Sequence, residues 1–291
     1  MNKTILVTGA NGQLGNSIRM LASERRDCVF HFTDVDTLDL RDESRLSGFV
    51  QSSHAEYILN CAAYTAVDKA EDEVELCMSI NRDAVQNIGK IARSQGIKVI
   101  HVSTDYVFDG TVARPCREDD ATNPQSVYGM SKLAGEKILQ EVCPDAVTVR
   151  AAWLYSEFGN NFVKTMLRLG STRKTVSVVS DQIGTPTYAG DLAGAMLAIV
   201  DSPVFVPGIY HYSNEGVCNW YDFAVKIMEY AGLDCRVLPI KTDEYPTRAV
   251  RPAYSVLCKD KIRQTYGVKI PDWETSLAKA IQRLQSLNFE S

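Results

Sequence analysis

The sequence has no CxxC pair and only four histidines. Its eight cysteines (Cys28, Cys61, Cys77, Cys116, Cys143, Cys218, Cys235 and Cys258) are scattered, and His31, His54, His101 and His211 add no ligand spacing. This argues against a zinc site or a disulfide scaffold and for buried free thiols in a reduced compartment. No long apolar run is present either: Leu192 to Val200 falls well short of the ~20 residues a membrane helix needs. Basic excess is missing too, since 31 Lys+Arg face 36 Asp+Glu, a formal net charge of −5. A nucleic-acid binder would show a basic stripe, whereas a lone phosphate needs only a few backbone amides. The opening MNKTILVTGANG lacks the apolar region and cleavage site of a signal peptide. The expectation is a cytoplasmic protein with neither membrane nor nucleic acid among its partners.

The sequence does hold a regular alternation. Thr4–Thr8, Val29–Thr33, Tyr57–Ala62, Lys98–Val102 and Val147–Ala151 read as short buried strands. Between them apolar residues recur at helical spacing, as in Leu14, Ile18, Leu21 and Ala22, or in one helix carrying Cys77, Ile80, Ala84, Ile88 and Ile91. Such alternation builds βαβ units on a parallel sheet. After about Trp153 the pattern loosens, and Pro239–Ala253, rich in Pro, Arg and Thr, reads as loop. The fold class expected is α/β: a Rossmann-type doubly wound parallel sheet over residues 1–152, then a smaller α/β substrate domain over 153–291 that returns to the sheet at least once.

Gly9, Gly12 and Gly15 follow the first strand and open the first helix. In that place glycines permit a tight turn, close approach of a pyrophosphate, and close packing of helix on strand. The alternative is a plain strand–helix turn. Asp34 stands at the end of the second strand, where an acid bonds the adenosine ribose hydroxyls; otherwise it is a solvated loop acid. With Asp36 beside it and Arg41 the nearest following arginine, NADH is expected to serve at least as well as NADPH.

Tyr128 and Lys132 form the YxxxK of YGMSK. At i and i+4 they share a helix face, and a lysine cation beside a phenol lowers its pKa. A general acid poised in this way can protonate a carbonyl oxygen. Chance also produces a YxxxK, so context matters. Ser103 and Thr104 directly follow the strand Lys98–Val102, at the sheet end where ligands bind. A Thr hydroxyl there can hydrogen-bond the same carbonyl, or it is only a turn or cap residue.

These motifs, in this order, resemble the extended short-chain dehydrogenase/reductase family. The resemblance spans almost the whole chain: VTGANGQLG near the start, LDLRD from Leu38, NCAAYTAVDKAE from Asn60, STDYVFDG from Ser103 and NPQSVYGMSKLAGE from Asn123. It continues through AAWLYSEFGNNFV from Ala151, VSDQIGTPT from Val179, GIYHYSNEG from Gly208 and RPAYSVL from Arg251. YTAVDKAE and STDYVFDG are similar to the branch that reduces the C4 ketone of a dTDP-linked keto-deoxysugar in polysaccharide biosynthesis. The resemblance implies Tyr128 as proton donor, Lys132 also holding the nicotinamide ribose, and Thr104 polarising the sugar carbonyl with Asp105 nearby. It implies Ala10, Asn11 and Gly12 at the pyrophosphate, Gln13 and Leu14 also among the cofactor-binding residues, and Asp39 and Leu40 flanking the adenine. Ala62, Ala63, Tyr64, Thr65 and Ser103 would line the cofactor groove. Trp153 would pack on the sugar, Asn161 and Phe162 would reach the nucleotide diphosphate or base, and Arg251 is a candidate cation for the diphosphate.

The implied cofactor is NADPH or NADH, and the family allows a homodimer. Many members carry a glutamate, linked in some to Mg2+, where this chain has Ser17, so Mg2+ is not supported. Ala151 and Ala152 stand where hydroxylated residues are common. Related dehydratases carry Asp-Glu after the strand-end Thr; here Tyr106 follows Asp105. A nucleotide-sugar epimerase needs the same Thr, Tyr and Lys. A non-catalytic reading also exists, since the regulatory β subunit of methionine adenosyltransferase is similar, but the intact Tyr128, Lys132 and Thr104 favour catalysis.

Overall fold

The computed structural model describes residues 2–289. Five strands of the first half, β1 (Lys3–Thr8), β2 (Cys28–Thr33), β3 (Tyr57–Asn60), β4 (Lys98–Thr104) and β5 (Val147–Ala151), join a strand from the second half, Gly208–Tyr212. Edge to edge the order is Gly208–Tyr212, β5, β4, β3, β1, β2, and every pair is parallel. The helices of the first half are α1 (Gln13–Ala22), α2 (Glu43–Ser53), α3 (Val67–Ala70), α4 (Val74–Met78), α5 (Ala84–Gln95) and α6 (Val127–Val142).

Side chains alternate across a strand, so β1 sends Ile5 and Val7 to one face and Leu6 to the other. Ile5 and Val7 meet Leu14 and Ile18 of α1, and Leu192, Met196 and Ile199 of the helix Ala189–Asp201. Leu6 meets Leu46 of α2, Ile88 of α5 and Leu139 of α6. A parallel sheet covered on both faces explains its almost unbroken runs of apolar residues. A second core gathers the helices Phe162–Thr172, Trp220–Ala231 and Trp273–Phe289 around the paired strands Thr175–Val179 and Arg236–Ile240. Among the described residues, no helix is long and apolar enough to cross a membrane.

Two segments depart from the sequence reading. The single helix expected across Cys77–Ile91 is α4, then a π-helical turn at Ser79–Asp83, then α5. The wide turn presents Asn81, whose Oδ1 accepts from the Tyr64 amide (2.8 Å) and whose Nδ2 donates to the Tyr64 carbonyl (3.1 Å) and Ser131 Oγ (2.9 Å). Those bonds tie the loop after β3 to α6, which offsets the irregular helix. The expected loop Pro239–Ala253 begins inside the strand Arg236–Ile240. Among the described residues that strand pairs only with Thr175–Val179, and an edge tolerates Pro239.

Candidate active site

A cleft of about 1170 Å³ opens at the carboxyl ends of β1, β3, β4 and β5. It is larger than the ~300–1,000 Å³ typical of one small-molecule pocket, and so has room for a dinucleotide and a second ligand.

The glycine loop forms one end. Gly9 sits at φ +64°, and a Cβ there would lie 2.6 Å from the Ala62 backbone, so β1 can turn beside β3 only with glycine. A Cβ on Gly15 would run into the Gly9 carbonyl. Gly12 precedes α1 without any side-chain cap, and the first turn carries no acid. The helix therefore presents unshielded amides and positive dipole to the cleft, as an anionic pyrophosphate requires. Asp34 lines the cleft, but both its oxygens are already engaged: Oδ2 accepts from the Asn11 amide (2.8 Å) and Oδ1 from the Val35 amide (2.8 Å). It thus props the glycine loop, a task the sequence reading did not assign to it. Asp39 pairs with Arg41 (2.6 Å), whose guanidinium holds the carboxyl below its ordinary range.

Tyr128 and Lys132 come from α6. Ser126 caps this helix, its Oγ accepting from the Gly129 amide (3.1 Å), so the YxxxK pair begins in the first turn, beside the cleft. Lys132 is 2% exposed and donates to the Val102 carbonyl at 2.7 Å. Burial pulls its ammonium down to about 8, against the opposing pull of Glu136 one turn on. Tyr128 packs edge-on to Tyr106 at 5.5 Å. Desolvation holds its pKa well above that of a free phenol, with the Thr104 hydroxyl opposing. Lys132, turned to the Val102 carbonyl, is not among the groups that set this phenol's pKa, and burial dominates in place of the expected lowering. The consequence is a Tyr128 that stays protonated at neutral pH, as a proton donor must be.

Thr104 ends β4, and its Oγ1 accepts from the Tyr106 amide (3.2 Å) and donates to Asp105 Oδ1 (3.0 Å). The bond to a substrate carbonyl expected of this hydroxyl would draw on the same single proton. Burial pushes Asp105 up to about 7. Trp153 follows β5 at φ +49°, a strained backbone for a non-glycine residue, and its ring stacks on Trp220 at 3.7 Å. Both indoles line the cleft. Ser17, at the position considered for a metal-linked glutamate, donates to the Gln13 carbonyl (3.0 Å).

Of the residues singled out from sequence, Gly9, Asn11, Gly12, Gln13, Leu14, Asp34, Asp39, Leu40, Ala62, Ala63, Thr65, Ser103, Thr104, Asp105, Tyr128, Lys132 and Trp153 line this one cleft. Ala10, Gly15, Tyr64, Asn161, Phe162 and Arg251 stand back from it. The Ala10 amide donates to Thr33 (3.0 Å), and the Tyr64 hydroxyl donates to Glu73 (2.5 Å). Asn161 caps the helix Phe162–Thr172 and donates to Gln13 Oε1 (2.9 Å), while Phe162 packs on Trp220. Arg251 is paired with Asp68 (2.6 Å) and donates to the Tyr106 hydroxyl (3.4 Å). Sequence reasoning missed Trp220, Gly159 and Asn160 on the wall. Trp220 lies far from the motifs in sequence and belongs to none of them. Gly159 and Asn160 adjoin Asn161 and were within reach.

A nicotinamide dinucleotide fits the residues present. Gly9, Gly12 and the uncapped start of α1 line the cleft, and the buried Ser103 Oγ on its wall finds no partner among the described residues.

A family model described as the RmlD substrate binding domain matches residues 2–286. The dTDP-4-dehydrorhamnose reductase of Aggregatibacter actinomycetemcomitans is 40% identical, covering 94% of this chain and 96% of its own. The crystal structure of a dTDP-4-dehydrorhamnose reductase from Clostridium acetobutylicum superposes with a TM-score of 0.93 at 42% identity, over 97% of this chain and 99% of that one. The Bacillus anthracis dTDP-4-dehydrorhamnose reductase, solved in complex with NADP, gives 0.92 at 38% identity, over 97% and 100%. End-to-end likeness of this order, on a six-stranded parallel sheet, places the chain in a family: it belongs to that of the RmlD substrate binding domain.

Proposed function

We propose that this protein reduces the C4 ketone of dTDP-4-dehydro-L-rhamnose to dTDP-L-rhamnose, using NADPH or NADH. The observation that carries this reading is the convergence of Tyr128, Lys132, Thr104 and the glycine loop on one cleft, in a chain about 40% identical to enzymes of that name. When bound, the reduced nicotinamide supplies the hydride that C4 receives. The chain's own residues do the rest. The α1 amides hold the pyrophosphate, and Ser103 and Lys132 hold the nicotinamide end. Tyr128 gives its proton to the C4 oxygen. Lys132, charged below about pH 8, stabilises the phenolate that remains. Trp153, stacked on Trp220, offers a flat apolar wall to the deoxysugar. In this reading residues 1–152 bind the dinucleotide and residues 153–291 the nucleotide sugar.

The test is oxidation of NADPH and of NADH, in parallel, by purified protein supplied with dTDP-4-dehydro-L-rhamnose. Formation of dTDP-L-rhamnose with equimolar cofactor oxidation is the expected result. An epimerase would instead convert its sugar without net oxidation. Cofactor binding with no turnover on this ketone would overturn the assignment of substrate.

A further inference from the structure

Thr104 has one hydroxyl proton, and where it points depends on Asp105. An ionised carboxylate can only accept. While Asp105 is ionised, the bond between the two (3.0 Å) uses the Thr104 proton and turns it away from the cleft. The Tyr106 amide, donating to the same Oγ1, takes an acceptor position and supplies no proton to the exchange. If the carboxyl is neutral, it can donate to Oγ1 in place of accepting, and the Thr104 proton is free to face the cleft.

The surroundings of Asp105 select the neutral form. It is 2% exposed, and its Oδ2 is buried with no hydrogen-bond partner among the described residues. Among the described residues no lysine or arginine forms an ion pair with it. The titratable groups facing it are Tyr106 on its own turn, Tyr128 on α6 and Cys116 on the segment between them, and each would add only negative charge if ionised. Thr104, Ser255 and the amides of Asp105 and Tyr106 are the polar groups that favour the anion. A buried carboxylate with an oxygen left unsatisfied is costly, and taking up a proton relieves that cost.

We propose that Asp105 is a positioning residue that works in its neutral form, its carboxyl donating to Thr104 Oγ1 so that the Thr104 proton faces the sugar ketone beside Tyr128. This rests on the ketone-reductase reading above. It makes Thr104 a donor to the substrate only while Asp105 keeps its proton.

The experiment is a pH profile of kcat and KM from pH 5.5 to 9 for wild type, Asp105→Asn, Asp105→Ala and Thr104→Val. In the wild type kcat falls as pH rises through about 7, where Asp105 ionises, and falls further as Lys132 deprotonates. Asp105→Asn keeps a permanent donor, so the first limb disappears, and at pH 8 its kcat exceeds the wild-type value by roughly tenfold. The Lys132 limb is common to both and cancels in that ratio. Asp105→Ala loses the limb but runs at a lower kcat throughout, and adding Asp105→Asn to Thr104→Val changes nothing further. The proposal is overturned if Asp105→Asn keeps the wild-type limb, or if it loses kcat at every pH as fully as Thr104→Val. A second measurement does not need turnover. The infrared difference between wild type and Asp105→Asn must show a protonated carboxyl band below pH about 7. If the band is present in a protein that does not reduce this ketone, the substrate reading has failed and the proton on Asp105 stands; an absent band overturns the proposal.

Discussion

Tyr128 and Lys132 are two residues of one helix face that burial affects oppositely. Removing water disfavours the charged form, so the phenol rises and the ammonium falls. Tyr128→Phe removes the proton donor without changing the shape of the wall, so kcat should drop by ~10²–10⁴. Cofactor affinity, read by fluorescence titration, should remain within a few-fold of wild type. Retention of most of the turnover would mean that the C4 oxygen takes its proton from elsewhere. Lys132 gives the pH dependence a sign. Its folded pKa is lowered to about 8, so the cation is present below that pH and lost above it. Cofactor affinity should therefore weaken as pH rises through about 8, and Lys132→Met should bind weakly at every pH, with no such dependence. A wild-type affinity that is flat from pH 7 to 9 would rule Lys132 out as the group holding the ribose. Both residues were legible in the sequence, as was Thr104, because spacing and strand-end position are local properties. The hydrogen bond between Thr104 and Asp105, and the protonation state that sets its direction, was not legible, since it depends on burial set by distant segments such as Ser255.

At the scale of elements, α6 has to be held firmly against the sheet for its first turn to serve the cleft. Its anchor is a buried ion pair: Glu136 accepts from Arg150 of β5 at 2.7 and 2.9 Å, with both side chains almost fully enclosed. Phe108 lies 5.1 Å from the guanidinium and His211 faces it at 3.4 Å. Removing one partner of a buried pair strands the other charge, so Glu136→Gln and Arg150→Met should each cost ~3–5 kcal/mol in urea unfolding. The double substitution leaves no stranded charge and should lose much less than the sum of the two. Additive losses would mean the pair is not coupled in this way. The strands and main helices of the first half could be read from periodicity because each buries a face against the same sheet. The π-helical turn at Ser79–Asp83 could not, because its cause is the set of Asn81 bonds to Tyr64 and Ser131, far off in sequence. The strand Arg236–Ile240 was hidden by Pro239, which only a pairing on a single side accommodates.

For the whole molecule, the central sheet buries two imidazoles. His101 of β4 and His211 of the strand Gly208–Tyr212 are both fully enclosed, and burial holds both pKa values low, His211 at about 3. In the unfolded chain each titrates near ~6.5. Between those limits the unfolded state binds a proton that the folded state does not, so stability falls as the solution is made more acidic. Asp105 works against this. Its folded pKa is raised from 3.8 to about 7, so its contribution is present at low pH and is lost as pH rises through about 7. With two histidines against one carboxyl, a net loss of stability toward acid remains. His211 is the place to measure it, because its ring bonds are few: Nδ1 lies 3.2 Å from the Cys116 carbonyl and Nε2 3.4 Å from Arg150. His211→Gln should be less stable than wild type at pH 7, since a buried contact is changed. From pH 6 to 4 the wild type should lose ~1.4 kcal/mol per pH unit more than the variant, so the gap between them closes as acid is added. Urea midpoints across that range provide the check. A gap that stays constant would mean His211 is protonated in the folded sheet after all, and the acid sensitivity of the molecule would then rest on His101 and on paired surface carboxylates.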